Sequence, residues 1–428
     1  MIIEFRAGNF RSISAPQTLT MVASADHQLA AVNLIQGSTE KLRLVRQAVI
    51  YGANAAGKST LLMSMEALRN LVLHSAGLQE GQVLPWITPY RLDPISEQAP
   101  STFEVLFEYE GVRYHYAVGA TATRITHEWL VAYPQGRPQR WFERSFDTDK
   151  ASYDWWLGPS FEGNRNQRKL WKTSTRSNAL FLSTAVQLNN EQLKPVFHWL
   201  TQMLIVVLPG RVDFNPTLSI DLLRSEQDRE RVNKLLNSAD IGIDRLELQE
   251  TDGLPPPPPG IPVEHWRAML AQGPLGVPAQ MKWGKVVAWH AASDGRPVSF
   301  DIAEESDGTR KLFEFVGGWI KALDTGATLC VDEIDRSLHP HLTRMLVQLF
   351  QSEANRNNAQ LIFTTHDTTL LDPDLLRRDQ IWFAEKDETR ATKVYPLLDY
   401  SPRKNESIER GYLLGRYGAI PFVSELRL

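Results

Sequence analysis

The sequence predicts an α/β fold that joins a mixed sheet to an antiparallel one, and three stretches carry that prediction. A short apolar strand, Ala48 to Tyr51, runs through a Gly-rich turn into a helix-patterned segment, Lys58 to His74, with apolar residues at Leu61, Leu62, Met65, Leu68 and Leu71. Between Ser101 and Phe146 the pattern changes to short alternating runs, FEVLF, YHYAV, EWLVAY and RWFER, divided by Gly and Pro turns, as antiparallel strands require. From Val298 onward strands and helices alternate again. A strand is followed by a helix over Gly308 to Leu323, a strand over Thr328 to Asp332, a helix over Pro340 to Glu353 and a strand over Gln360 to Thr365.

The opening MIIEFRAGNFRS has early charges and no apolar stretch of signal-peptide length, so it reads as the first strand of the fold. The middle is less regular. Helices are expected near Gln187 to Gln202 and Glu226 to Asn237, with a strand near Leu204 to Leu208. The run Pro255 to Pro259 removes five backbone donors in a row and reads as an extended spacer. The expected organisation is therefore an N-terminal lobe over 1–148, an inserted and mostly helical arm or partner-binding region over 149–297, and a C-terminal lobe over 298–428.

Bulk properties narrow the class. With 43% apolar and 22% charged residues in 428, the chain is neither disordered nor collagen-like nor dominated by a coiled coil. Lys and Arg number 46 against 50 Asp and Glu, a net charge of −4, so bulk charge points to no polyanion, although a local patch could still bind one. A single cysteine, Cys330, excludes an intrachain disulfide and a Cys-cluster zinc site, and fits a reducing compartment. No apolar run approaches the roughly 18 residues of a membrane span. A cytoplasmic protein without a membrane segment is expected.

Chemistry enters with Gly52-Ala-Asn54-Ala-Ala-Gly57-Lys58-Ser59-Thr60, which fits the phosphate loop G-x-x-x-x-G-K-[ST]. A random chain of this length would show that pattern roughly once in a hundred, and the strand before it and helix after it lower the odds further. The glycines let N–H groups turn inward and the helix N-terminus adds positive potential. Lys58 can then reach the β and γ phosphates while the Ser59 hydroxyl ligates Mg²⁺. No N-K-x-D or T-K-x-D guanine-reading element is present, which favours ATP over GTP. Thr328-Leu-Cys-Val-Asp332-Glu333 is an apolar strand ending in two carboxylates: the first can hold Mg²⁺ and the second can take a proton from attacking water. Upstream, Glu305-Ser306-Asp307-Gly308-Thr309 precedes a helix; it fits an anion-binding turn, although local sequence alone favours an ordinary N-cap at Ser306. Leu361-Ile-Phe-Thr-Thr-His366 is an apolar strand ending in histidine.

The order of phosphate loop, Ser-x-Gly turn, Asp-Glu strand and strand-end histidine resembles the ABC-type ATPase head of the RecF, SMC and OLD branch. It is most similar to the stand-alone ATPases of bacterial phage-defence and abortive-infection operons, such as RloA, AbiL-type and PARIS ATPases. The opening Asn9-Phe10-Arg11-Ser12, the D-loop-like Ser337-Leu338-His339-Pro340 and the closing Gly415-Arg-Tyr-Gly-Ala-Ile-Pro421 share in the resemblance. It implies an ABC-type P-loop NTPase head that binds ATP through Gly52, Asn54, Gly57, Lys58, Ser59, Thr60 and Arg11. It further implies Mg²⁺ on Ser59 and Asp332, Glu333 as the base, His366 sensing the γ-phosphate, and a D-loop at Ser337 and His339. Ser306 and Gly308 would close over the ATP of a partner subunit, so an ATP-dependent homodimer is implied. Two departures stand out: the turn lacks the full L-S-G-G-Q form, and the Q-loop position has only Gln82 and Gln98 as candidates, neither within a motif.

Between Gly163 and Asn190 no Asp or Glu occurs, while Arg165, Arg168, Lys169, Lys172 and Arg176 gather around Trp171. This strip could meet a nucleic-acid backbone and a stacked base, dock an acidic partner, or remain a solvated face. OLD-like proteins carry a TOPRIM nuclease after the ATPase; with roughly 60 residues beyond His366, no such domain is expected here. The leading expectation is an ATP-hydrolysing switch in anti-phage defence that controls a separate effector, such as a TOPRIM-type or RloB-like nuclease. The alternatives are a RecF-like DNA-repair ATPase with ATP-gated DNA binding, and a scaffold clamped by ATP with negligible turnover.

Overall fold

The computed structural model describes residues 1–208, 217–239, 242–252, 261–271, 282–403 and 406–421. The chain folds into two compact units, one of Met1–Asp213, Lys321–Arg336 and Pro340–Leu428, the other of Phe214–Ile320 and Ser337–His339. This division cuts the chain at different points from the three-segment partition expected from sequence.

In the first unit, six strands form a sheet in the order Leu204–Val207, Thr328–Val331, Gln360–Thr364, Gln47–Tyr51, Ile381–Lys386 and Thr392–Pro396. The first five run parallel and the last pairs antiparallel. Every residue of the three strands QAVIY, TLCV and QLIFT is buried, as central parallel strands covered on both faces require. The helix Lys58–His74 follows the P-loop strand over the span its apolar spacing predicts and buries Leu61, Leu62, Met65, Leu68 and Leu71.

A seven-stranded antiparallel sheet accompanies it, ordered Ser152–Leu157, Gln139–Asp147, Ile125–Tyr133, Val112–Ala120, Ser101–Tyr109, Ile2–Gly8 and Gln17–Thr20. The four alternating runs between 101 and 146 are thus consecutive strands of one sheet, and the opening residues are a strand beside them. A buried ion pair anchors this sheet. Glu128 and Arg144 approach to 2.9 Å with neither side chain exposed. Glu128 also accepts the N–H groups of Phe181 and Leu182, the first residues of the helix Phe181–Gln187. The carboxylate therefore compensates both a buried cation and two orphan helix donors.

Three sequence expectations shift. The helix expected near Gln187 to Gln202 is broken: Phe181–Gln187 ends before Asn189, whose φ is 60, and a new helix Lys194–His198 passes into a π-helical turn, Trp199–Met203. Pro195 explains the restart, because a residue without an N–H fits only a helix's first turn. Among the described residues between 149 and 297 helices predominate, yet Ser152–Leu157 extends the antiparallel sheet. The helix expected to reach Glu353 ends at Leu349.

The second unit holds the helix Glu226–Ser238 and a three-stranded antiparallel sheet of Arg245–Asp252, Lys282–Ala291 and Pro297–Asp301. Ser219 joins it to the long helix Asp307–Thr325: its Oγ donates to Phe313 O at 2.6 Å and accepts Gly317 N at 2.9 Å. The run Pro255 to Pro259 lies outside the described residues. Among the described residues no helix is long and apolar enough to cross a membrane.

Candidate functional site

The site grows from the C-terminal ends of the parallel strands, where α/β sheets gather ligands. Tyr51 ends the central strand, the loop 52–57 follows, and Lys58 opens the helix. Both loop glycines are required by their surroundings. At Gly57, with φ 99, a Cβ would overlap the Thr392 hydroxyl, and at Gly52 it would overlap the Ala384 carbonyl. Thr392 Oγ1 donates to Ala56 O at 2.9 Å and meets Ser12 Oγ at 2.8 Å; Ser12 Oγ in turn meets Thr60 Oγ1 at 2.8 Å. This hydroxyl chain holds the loop against the first turn of the helix.

Lys58 is buried, and its Nζ donates to Gly52 O at 2.8 Å and Ala53 O at 3.2 Å and lies 3.0 Å from His366 Nε2. Burial lowers the Lys58 pKa, while Asp332, Glu333 and Asp335 oppose that shift. The His366 pKa is also lowered, first by desolvation on its inner side and then by the Lys58 cation. The two shifts fit one arrangement: a protonated lysine donating to a neutral imidazole.

Asp332 is buried, and its Oδ1 accepts a 2.6 Å bond from Thr364 Oγ1. Thr364 Oγ1 also accepts the Glu333 N–H at 2.8 Å, so one threonine on the adjacent strand orients both carboxylate residues. Glu333 sits at φ 50, a left-handed conformation for a residue with a Cβ, and its partly exposed carboxylate lies 3.7 Å from Arg336. Asp335 Oδ2 accepts the His366 N–H at 3.2 Å, while Oδ1 is buried without a hydrogen-bond partner among the described residues. Thr364, Asp335, Ser12 and Thr392 escape a reading of the sequence alone as members of the site. Thr364 and Asp335 stand two residues from His366 and Glu333; Thr392 carries no motif at all.

Lys58, Asp332, Glu333 and His366 thus come together in the first unit, with Ser59 in the first helical turn and Asn54 exposed on the loop. Arg11, at φ 51, donates its backbone N–H to Thr88 O at 2.7 Å and is exposed. Ser306, Gly308, Ser337 and His339 belong to the second unit. There Ser306 Oγ accepts the Thr309 N–H at 3.2 Å, an N-cap interaction, and a Cβ on Gly308 would lie 3.0 Å from Ser337 O. The preceding Glu305 is tethered by His290 Nε2 at 2.7 Å. Gln82 accepts the Gln79 N–H, and Gln98 ends the short helix Pro94–Gln98; both are exposed.

All of the cationic strip except Arg176 lies on a helix, Arg165–Ser174, whose N-terminus is closed by a capping box from Asn164 and Gln167. One expectation fails here. Trp171 is 4% exposed and its Nε1 donates to Leu188 O at 3.2 Å, so its ring is core and offers no platform for a base. Arg168 bonds the Gly163 and Phe161 carbonyls, Arg176 donates to Ala76 O, and Lys172 lies over the Trp155 ring. Arg165 and Lys169 remain exposed. The segment 174–178 pins the 76–82 turn, with Asn178 Nδ2 donating to Gln79 O and Gln82 O.

The His366 shift predicts a pH effect. Its native pKa lies below the ordinary 6.5, so as pH falls below 6.5 the unfolded chain takes up a proton first. The stability contributed is full above 6.5 and is lost as pH falls through the depressed native value. Thermal denaturation across that range should show the loss in the wild type and a flatter profile in His366→Gln; identical profiles would refute it.

A family described as "AAA domain, putative AbiEii toxin, Type IV TA system" matches residues 48–372. Among solved structures, the chain is similar to an SMC head domain from Thermotoga maritima, at 11% identity over 92% of this chain and 98% of that one, with a TM-score of 0.39. It is also similar to an SmcHead bound to the C-winged helix domain of ScpA, at 12% identity over 94% and 99% of the two chains, with a TM-score of 0.40. No curated protein matches. The family match begins in the P-loop strand and takes in the phosphate loop, Asp332-Glu333 and His366, three quarters of the chain. The chain therefore belongs to this AAA-domain family of AbiEii type.

Proposed function

We propose that the protein hydrolyses ATP and works as a nucleotide-gated homodimeric switch in anti-phage defence, controlling a separate effector such as a nuclease. The observation that carries the reading is the meeting of Lys58, His366, Asp332 and Glu333 at the phosphate loop. A buried lysine at a helix N-terminus is suited to phosphate oxygens, and a neutral histidine beside it is suited to accept a proton or a hydrogen bond. Glu333, held by its backbone to Thr364, is the base that would take the proton of the attacking water.

The donor set fits Mg²⁺. Ser59 offers a hydroxyl and Asp332 a carboxylate whose Oδ1 is already oriented by Thr364, hard oxygen ligands of the kind Mg²⁺ uses beside substrate phosphates. When bound, the ion would neutralise charge on the phosphates. Arg11, Asn54, Gly52, Gly57 and Thr60 would complete the nucleotide contacts, and Ser337 and His339 the D-loop.

The dimer follows from chain order. Each chain has one phosphate loop and one Ser306–Gly308 turn, and in a head-to-tail pair each nucleotide would take the loop from one protomer and the turn from its partner. Mixing Lys58→Ala with Ser306→Arg chains tests this. Random exchange leaves half the dimers mixed, each with one intact composite site, so about a quarter of wild-type turnover should return. No recovery above the separate variants would refute the shared site.

A further inference from the structure

The hairpin of Ile381–Lys386 and Thr392–Pro396 stands behind the phosphate loop at both of its glycines. A Cβ at Gly52 would overlap the Ala384 carbonyl on the first strand, and one at Gly57 would overlap the Thr392 hydroxyl on the second. We propose that this hairpin is the backstop of the loop and that Thr392 is the positioning residue through which it sets ATP affinity. The proposal rests on the reading of 52–60 as the ATP site and adds a residue outside the G-x-x-x-x-G-K-[ST] pattern.

The direction of each bond follows from counting protons. A threonine hydroxyl has one proton and two lone pairs. Thr392 Oγ1 gives its proton to Ala56 O at 2.9 Å, an atom that can only accept. Its two other neighbours must therefore donate to it, Lys386 Nζ at 3.0 Å and Ser12 Oγ at 2.8 Å. Ser12 has then spent its own proton, so the 2.8 Å contact with Thr60 runs from Thr60 Oγ1 to Ser12 Oγ. A one-way chain from Thr60 through Ser12 and Thr392 to Ala56 thus joins the residues on either side of Gly57-Lys58-Ser59. Thr392 is its central link, buried and with all three bonding positions filled.

The backstop is itself fixed. Lys386 and Thr392 face each other in the register of the hairpin. Asp387 Oδ1 closes the turn between them by accepting Thr389 N, Thr389 Oγ1 and Ala391 N at 2.7 to 2.9 Å. The Thr392 N–H donates to Ser12 O at 2.7 Å, a second tie between the hairpin and the turn after the first strand.

A loop held in one conformation before the nucleotide arrives does not have to be ordered by it, which favours binding. Without the Thr392 hydroxyl, Ala56 O loses its donor and Ser12 its acceptor. The competent conformation then becomes a fraction of the population, and apparent affinity falls by that fraction. Turnover of bound ATP should be spared, because the hydroxyl's partners are Ala56, Lys386 and Ser12 and not Asp332, Glu333 or His366.

The test uses the full chain. Thr392→Val keeps the branched shape and removes the hydroxyl, whereas Thr392→Ser keeps the hydroxyl. Calorimetry should show ATP binding weakened about 10-fold in Thr392→Val, as a competent fraction of roughly one tenth gives. Steady-state kinetics should show KM raised by a similar factor with kcat within about twofold of wild type. Thr392→Ser should bind ATP within about threefold of wild type. Ser12→Ala should weaken ATP binding by itself and add little to Thr392→Val, since both break one chain. Four results would overturn the proposal: unchanged ATP affinity in Thr392→Val, an equal loss in Thr392→Ser, a fall in kcat at unaltered affinity, or additive losses in the double variant. Should a thermal melt show Thr392→Val unfolded, Ser12→Ala decides, and unchanged ATP affinity there overturns the proposal. Lys58→Ala measured alongside separates the two failures. If it too keeps its ATP affinity, the loop is not the nucleotide site and both readings fall; if it alone loses affinity, only the role of Thr392 is overturned.

Discussion

Replacing Glu333 with Gln is expected to reduce ATP turnover by about 10²- to 10⁴-fold, the usual contribution of a positioned general base. ATP binding should persist and nucleotide-bound dimers should accumulate. The backbone reasons are specific. The Glu333 N–H is held by Thr364 Oγ1, and its left-handed φ of 50 is set by the chain, so the amide keeps the same position. The side chain pairs with Arg336 at 3.7 Å, with both groups well exposed, and such pairs contribute little to stability. The loss would therefore be chemical. Steady-state phosphate release, paired with size analysis in the presence of ATP, checks both halves. Wild-type turnover in this variant would remove Glu333 from the mechanism, whatever happened to the dimer.

Lys58→Ala should weaken ATP binding by about 100-fold, roughly 2.7 kcal/mol, and abolish detectable hydrolysis. Lys58 is 6% exposed and holds its charge against loop carbonyls and three carboxylates at longer range. Burying that cation is itself unfavourable, so alanine is not expected to unfold the protein. Calorimetric titration with ATP, beside a thermal melt, separates lost binding from lost fold. Unchanged affinity would count against the loop as the phosphate site. The same variant should raise the His366 pKa, because the neighbouring cation that helps depress it is gone.

The parts legible in the sequence are those where chemistry and periodicity coincide. Gly52 to Thr60 can be read because the loop is contiguous, and Asp332-Glu333 and His366 because each closes an apolar strand. The antiparallel strands between 101 and 146 alternate plainly since one face is buried. Thr364 and Thr392 are illegible for a different reason. Each acts through a hydroxyl placed by strand pairing, and a threonine in an apolar strand looks like any other β-former. Trp171 misleads because its cationic neighbours suggest a surface, whereas helical spacing turns the ring inward. The break at Asn189 depends on a positive φ that asparagine permits but does not announce.

The position of the P-loop strand within its sheet bears on how the protein is made. Gln47–Tyr51 lies between Gln360–Thr364 and Ile381–Lys386, and Gln360 Nε2 donates to Val45 O across 315 residues of chain. On the ribosome the central strand emerges early, while both of its neighbours are translated last. Through most of synthesis it is an apolar edge without a hydrogen-bonding partner, the kind of segment that slow, non-local pairing leaves open to aggregation or chaperone capture. A nascent chain stopped before residue 360 would hold the whole phosphate loop and yet lack the strands that support it, so nucleotide affinity should arise only as synthesis nears its end.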